Sequence, residues 1–512
     1  MRCLASGGII LSFVSVSRKR PKQADGAVAA KIARLANGGA PRVIDLFAGC
    51  GGLSLGFHSA GFELVGAVEN DPLAAATHSL NFFSHAKHSL QEHGPVDVTK
   101  TDPEELLRRV LAEKLSVAEA ASRIDVLIGG PPCQAYSIVG RAKLREIAQH
   151  PLAFEKDLRA QLYKNFLHYV RVLKPLAVLI ENVPEILRYG TRNVAEDIAS
   201  ELEALGYQVR YTILNAVHYG VPQLRDRMFM IAYINELELL PEFPAPTHRH
   251  ALPKGYKNLR RDVTAKLSGL FGSRYFLPPV ENTESGEAAV TARDAIGDLP
   301  PITKHLEGQL KRGARRFDEF TPYAGAPLTA YAKTMRGWPA FRSRDGIYDH
   351  VIRYLPRDYK IFARMAPGDE YPQAHALANR MFEEALEARS TKLRPSDPRY
   401  AVLKKEYVPP YDPAKFANKW RKIDAEEPVR TITAHIGKDS YSHIHYSSDQ
   451  ARTISVREAA RLQSFPDGFK FAGTLDPALR QIGNSVPPLI ARALARKMKR
   501  DLLAALRHAR AR

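Results

Sequence analysis

From Val43 onward the chain alternates short apolar runs with stretches whose apolar residues recur at helical spacing. VIDLF (43–47) reads as a buried strand running into a glycine-rich turn, and ELVGAVE (63–69) reads as a second strand. DPLAAATHSLNFF (71–83) predicts a helix, with Asp71 as its cap and Pro72 in the first turn. DVLIGG (125–130) and AVLIENV (177–183) are continuous apolar strands, and LRAQLYKNFLHYVRVL (158–173) between them has helical periodicity. YQVRYTILNA (207–216) and RMFMIAYI (227–234) lie close enough to pair as a final hairpin. Strand, helix and strand in repetition predict an α/β fold with a doubly wound, mostly parallel sheet covered by helices. An insertion from Thr101 to Ser122 reads as one or two helices without recognisable chemistry.

The pattern loosens after residue 236. Prolines and basic residues become frequent, as in PEFPAPTHRHALPKGYKNLRRD (241–262), and periodicity is weak. Regular order returns near Arg452, and the segment 487–509 is an amphipathic helix opened by Pro487 and Pro488. These shifts divide the chain into a flexible extension over 1–40, a first domain over 41–236, a loop-rich second domain over 237–434, and a segment over 435–512 that returns to the first domain. The apolar stretch near the start has Arg2 alone ahead of it and its basic cluster behind it, so it does not read as a signal peptide. No apolar run reaches the roughly 18 residues a membrane span needs.

Charge changes this picture more than composition does. There are 74 Lys and Arg against 55 Asp and Glu in 512 residues, a formal net charge of +19. That surplus favours polyanionic partners through counterion release, although a basic soluble surface alone would also carry it. The three cysteines, Cys3, Cys50 and Cys133, are far apart and form no CxxC pair. A disulfide framework or a structural metal site is therefore not expected, and a reducing cytoplasmic setting is.

Four strings carry chemistry. In DLFAGCGGLSLGF (45–57) a glycine cluster between strand and helix would let backbone amides approach a ligand, and Glu69 ends the next strand, where an acid can hold ribose hydroxyls. The spacing is not that of a nicotinamide site, and a mere tight turn would also explain it. In GGPPCQAYS (129–137) Cys133 follows a buried strand on a loop stiffened by two prolines, a setting for an attacking thiol more than for a packed one. Glu181, in ENV (181–183), ends the adjacent strand, where apolar surroundings would raise its pKa and let it present a proton. In PQLRDR (222–227) Arg225 and Arg227 alternate with Asp226 and could reach one pocket, oriented by Gln223. A thiol, a protonatable acid, a positive group and an adenosine site at one sheet edge fit methyl transfer to carbon 5 of cytosine. The thiolate adds to carbon 6, the acid serves the ring nitrogen, and the base must leave the helix stack.

These strings, in this order, resemble the bacterial DNA cytosine-5 methyltransferase family. VREAARLQSFPDGF (456–469) and QIGNSVPP (481–488) resemble its last two motifs. The resemblance spans about residues 41–236 and 428–500. It implies the S-adenosylmethionine-dependent methyltransferase fold, Cys133 as nucleophile, Glu181 as the residue holding the target cytosine, and Arg225 and Arg227 as orienting groups. It implies S-adenosyl-L-methionine as cofactor, held by Phe47, Gly49, Gly52, Glu69, Asp97, Pro132, Leu162, Asn484, Ser485 and Val486, with no metal. The second domain then becomes a target-recognition domain for double-stranded DNA. A monomer acting with a cognate restriction endonuclease is the expected setting. The alternatives are a tRNA-methylating relative, which would carry a CFT motif absent here, and an inactive DNA-binding relative, which the intact motif residues oppose.

Overall fold

The computed structural model describes residues 26–83, 94–111, 117–132, 161–189, 192–267, 272–309, 319–389, 393–438 and 440–511. Its centre is a six-stranded sheet. The strands are β1 (Arg42–Leu46), β2 (Glu63–Val68), β3 (Val126–Gly129), β4 (Ala177–Asn182), β5 (Tyr207–Asn215) and, after the two-residue β6 (Gln223–Leu224), β7 (Asp226–Ile234). Their order is β2-β1-β3-β4-β7-β5. The first four run parallel, and β7 lies antiparallel between β4 and β5. The two last strands do pair as expected, but β7 also inserts beside β4. Its first residues therefore share an edge with the last residues of β1 to β4.

The helices of this layer are α1 (Gly26–Ala36), α2 (Gly52–Ser59), α3 (Pro72–Phe82), α4 (Pro103–Leu111), α5 (Val117–Ser122), α6 (Leu162–Leu173) and α7 (Val194–Ala204). α4 and α5 fill the expected insertion. Asp71 caps α3 by accepting from the amides of Leu73 and Ala74 at 3.0 Å. The chain runs from β1 out to β2 and returns to β3 on the other side of β1, so strand order reverses at β1. Such a reversal opens a crevice at the carboxyl ends of the strands.

The extension expected over 1–40 is in part a docked helix. α1 buries Val28 and Leu35 in the first core. Its Lys31 is fully buried and donates to the carbonyls of Leu173 at 2.6 Å and Lys174 at 2.7 Å, at the negative end of α6. Arg34 pairs with Asp125 at the start of β3. The amphipathic pattern of GAVAAKIARLA was the available signal.

Packing also departs from the expected boundary at 236. The helix α8 (Lys254–Leu267) and the following segment stay on the edge of β5. Tyr211 donates to the carbonyl of Tyr275 at 2.8 Å, and Leu277 returns the bond to Tyr211 at 2.9 Å. A second core then joins Ala292, Tyr331, Trp338 and Ile347 to Ile432, Val456, Phe465 and Leu479. A third gathers Tyr359, Phe362, Tyr371, Phe382 and Trp420.

Within the stretch expected to be loop-rich stand α9 (Tyr371–Glu387) and α10 (Pro398–Tyr407). The buried stripe of α9 is Tyr371, Ala374, Ala378, Met381 and Phe382, whose alanines give a weak hydrophobic signal at helical spacing. The last helices are α11 (Val456–Leu462), α12 (Leu475–Asn484) and α13 (Pro488–Ala511). α13 packs on α2 so closely that a Cβ on Gly56 would lie 2.4 Å from the Ala491 Cβ. Among the described residues no helix is long and apolar enough to cross a membrane.

Candidate active site

Glu181, Arg227, Glu69 and the glycine-rich loop stand at one edge of the sheet. Gly129 ends β3 against β1: a Cβ there would meet the Leu46 carbonyl oxygen at 2.1 Å, so a larger residue would push the strands apart. At Gly130 a Cβ would lie 2.8 Å from Glu181 Oε2, so the missing side chain lets the loop backbone approach the acid. Asn182, the next residue on β4, donates to the Pro131 carbonyl at 3.0 Å and accepts from the Val183 amide at 2.9 Å. This clamp pins the Gly-Pro-Pro segment to the end of β4. Sequence reasoning named Glu181 and passed over Asn182, although the ENV string contained it. Pro132 is half-buried and follows this clamp; Cys133, the expected nucleophile, lies outside the described residues.

Glu181 pairs with Arg227, Oε1 to Nε at 2.9 Å, with side chains only 13% and 16% exposed. Burial pushes its carboxyl above the usual range, while the charges of Arg227 and then Arg225 pull it back. The two arginines differ in their contacts. Arg225 is fully buried and donates to the carbonyls of Ile432 at 2.8 Å, Gly483 at 3.0 Å and Ser485 at 3.1 Å. It ties the start of β7 to the C-terminal segment. Gln223 does the same from β6. Its side-chain oxygen accepts from the Ile432 amide at 2.9 Å, and its nitrogen donates to Gln463, which donates to the Ser485 carbonyl at 2.6 Å. Gln463 is a further linking residue that sequence reasoning missed; it sits within the ARLQSFP string.

The glycine-rich loop forms the other side of the crevice. Phe47, Gly49 and Gly51 all have left-handed backbones, with φ of 60°, 56° and 100°. For Phe47 this is uncommon outside glycine, and its ring is half-buried against the first core. Glu69 accepts from the Gly49 amide and the Asp71 amide, both at 2.8 Å. Burial raises its pKa, against the lowering by these backbone bonds. Val96 donates to the Glu69 carbonyl at 2.7 Å, which brings Asp97 to the end of β2. The Asp97 carboxylate accepts from Thr99 and is held below its usual range by those bonds.

The C-terminal segment packs against the glycine-rich loop. A Cβ on Gly52 would meet Ser485 Oγ at 2.1 Å and the Val486 carbonyl at 2.2 Å. Ser485 and Val486 are buried there, and Asn484 ends α12 exposed. Leu162 opens α6, half-buried against the first core.

Residues 41–500 match the profile of the family described as C-5 cytosine-specific DNA methylase. The chain belongs to this family. It is 37% identical over 471 residues to a putative type II methyltransferase of Oceanobacillus iheyensis, covering 90% of this chain and 96% of that one. The type II methyltransferase M.AgeI of Thalassovita gelatinovora is 33% identical over 485 residues, covering 90% and 99%. The fold is shared with a crystal structure of a putative DNA modification methyltransferase encoded within a prophage of E. coli. That match has a TM-score of 0.57 at 22% identity and covers 90% of this chain and 99% of that one. The methyltransferase thus brings Glu181, Arg227, Glu69 and Ser485 to one edge of a mostly parallel sheet.

Proposed function

We propose that this DNA cytosine-5 methyltransferase works through a covalent adduct between Cys133 and a cytosine turned out of duplex DNA. The observation that carries the reading is the position of Glu181, a buried acid between Arg227 and the backbone of the loop leading to Cys133. The Cys133 thiolate attacks carbon 6, and the electron pair pushed into the ring is stabilised by a proton from Glu181 at ring nitrogen 3. Carbon 5 then becomes nucleophilic. Loss of its proton after methylation expels the thiolate and restores the ring. Arg227 holds Glu181 in place and limits the rise in its pKa that burial causes, and Asn182 fixes the proline loop.

The donor residues fit S-adenosyl-L-methionine. Gly49 has open space where a side chain would stand, and the Glu69 carboxylate beside it suits ribose hydroxyls. Phe47, Gly52, Asp97, Pro132, Leu162, Asn484, Ser485 and Val486 would complete the site, with Ser485 and Val486 closing over Gly52. The bound cofactor would supply a methyl group activated by its sulfonium. Within the expected recognition region 237–434, the part beyond 277 would read the DNA, with its basic side chains on phosphates and its loops in the major groove.

The type II methyltransferases among its relatives support a modification enzyme of a restriction-modification system; a cytoplasmic monomer beside a nuclease of the same specificity is the setting this reading expects. The test is transfer of labelled methyl groups to duplex DNA of mixed sequence, with bisulfite sequencing to find the site. Wild-type protein yields 5-methylcytosine and Cys133→Ala yields none; transfer persisting in that variant overturns the adduct.

A further inference from the structure

Beneath the glycine-rich loop lies a buried polar chain that the proposed chemistry does not use. Asp45 on β1 is fully buried, and its Oδ2 accepts from Ser54 Oγ at 2.6 Å. Ser54, on α2 and equally buried, sits 2.8 Å from Nε2 of His78 on α3. Asp45 Oδ1 has no hydrogen-bond partner. The three residues stand on the three elements that frame the loop. The loop rests directly on the imidazole: a Cβ on Gly51 would lie 3.0 Å from His78 Cδ2 and 2.5 Å from Phe82 Cε2.

The single hydroxyl proton makes this chain two-valued. Given to Asp45, it leaves His78 Nε2–H to donate to Ser54, and the unit contains a carboxylate. Given to His78 Nε2, it requires the imidazole proton to sit on Nδ1 and Asp45 to carry a proton of its own, and the unit is neutral. The two arrangements differ by one proton and one charge, with little movement of heavy atoms. We infer that Asp45, Ser54 and His78 are positioning residues that exchange one proton with solvent as the loop above them exchanges a cationic for a neutral nucleoside ligand, and so favour the methyl donor over its demethylated product. This rests on the reading that the loop holds S-adenosylmethionine.

The physical basis is reciprocity. A sulfonium is a cation and the thioether left after transfer is not. A buried carboxylate attracts the cation, and binding of the cation in turn favours loss of the proton. Burial pushes Asp45 up to about 7, so the exchange falls near neutrality. Among the described residues the neighbouring groups are Glu69 just past β2, itself raised by burial; Cys50 in the loop, pushed up to about 12; His58 on α2, held down by burial; and Asp71 at the start of α3, paired with Arg480 at 3.2 Å. Burial raises Glu69 too, and its titration could add to the exchange, so the test turns on Asp45 itself.

Calorimetric titration of the whole protein with S-adenosylmethionine and with S-adenosylhomocysteine, in buffers of different ionisation enthalpy, measures the protons exchanged. The sulfonium is expected to release part of a proton near pH 7 and to tighten about three- to tenfold between about pH 6 and about pH 8, with the thioether nearly flat. Asp45→Asn should bind both ligands and remove that difference. Ser54→Ala, which deletes a bond that favours the carboxylate, should move the midpoint to higher pH, and it carries the test should Asp45→Asn not fold. Equal proton exchange for the two ligands in the wild type, or a difference unchanged in Asp45→Asn, overturns the inference alone. Failure of both ligands to bind wild-type protein at any pH overturns the cofactor reading with it.

Discussion

Replacing Arg225 by methionine separates a holding role from a chemical one. The guanidinium makes three charge-assisted bonds to carbonyls of Ile432, Gly483 and Ser485, all buried. A hydrogen bond to a charged group contributes about 1.5–3 kcal/mol, and each buried carbonyl left without a donor costs about 1–3 kcal/mol. These terms overlap, and removing the buried charge recovers part of its desolvation cost. A net loss of about 3–5 kcal/mol follows, as for other broken buried polar contacts. Arg225→Lys keeps the charge, but one ammonium lacks the planar fork that reaches both sides, so about half of the loss should remain. Urea unfolding followed by tryptophan fluorescence, from Trp338 in the second core and Trp420 in the third, reads this directly. The expected order of midpoints is wild type, then Lys, then Met. Arg227→Met leaves a mostly buried carboxyl without its partner, but that carboxyl can take up a proton, so the variant should lose less stability than Arg225→Met while methyl transfer falls sharply. An Arg225→Met variant that unfolds like wild type yet has lost turnover would refute the assignment and put Arg225 on the substrate.

Three other outcomes are expected. If protonated Glu181 is the working form, kcat/KM falls as pH rises through its raised pKa; because Arg227 lowers that pKa, the residual activity of Arg227→Gln should keep its alkaline limb at higher pH than wild type, and a limb at lower pH contradicts the acid role. In the second core Glu458 accepts two bonds of 2.7 Å from Arg452, and these hold its carboxyl far below the usual range despite complete burial. Either single apolar substitution should cost about 3–5 kcal/mol in urea unfolding, and the pair Arg452→Met with Glu458→Leu distinctly less than the sum, since the lone buried charge is the main penalty. Gly52→Ala should weaken binding of S-adenosylmethionine by at least about tenfold in calorimetry, because its Cβ would meet a backbone carbonyl at 2.2 Å that cannot rotate away; unchanged affinity would mean the C-terminal segment does not close over the loop.

The division between what the chain alone declared and what its folding added follows the range of the interactions involved. Apolar runs and their spacing fix strands and helices locally, so β1 to β5, β7, the Asp71 cap and α13 were legible, as were the strings at the strand ends. The helix α9 was not, because alanines supply much of its buried stripe and the signal depends on what packs against it. Nor was α1, whose buried Lys31 reads as solvated until the end of α6 supplies its carbonyl partners. The separation of Arg225 from Arg227 lay beyond sequence altogether. The two are separated by a single residue and chemically identical, and their contacts are set by Ile432 and Ser485 on one side and Glu181 on the other. The same holds for Asp45, Ser54 and His78. Each is an ordinary residue in its own element, and only the packing of β1, α2 and α3 removes the water that would otherwise make their protons unremarkable.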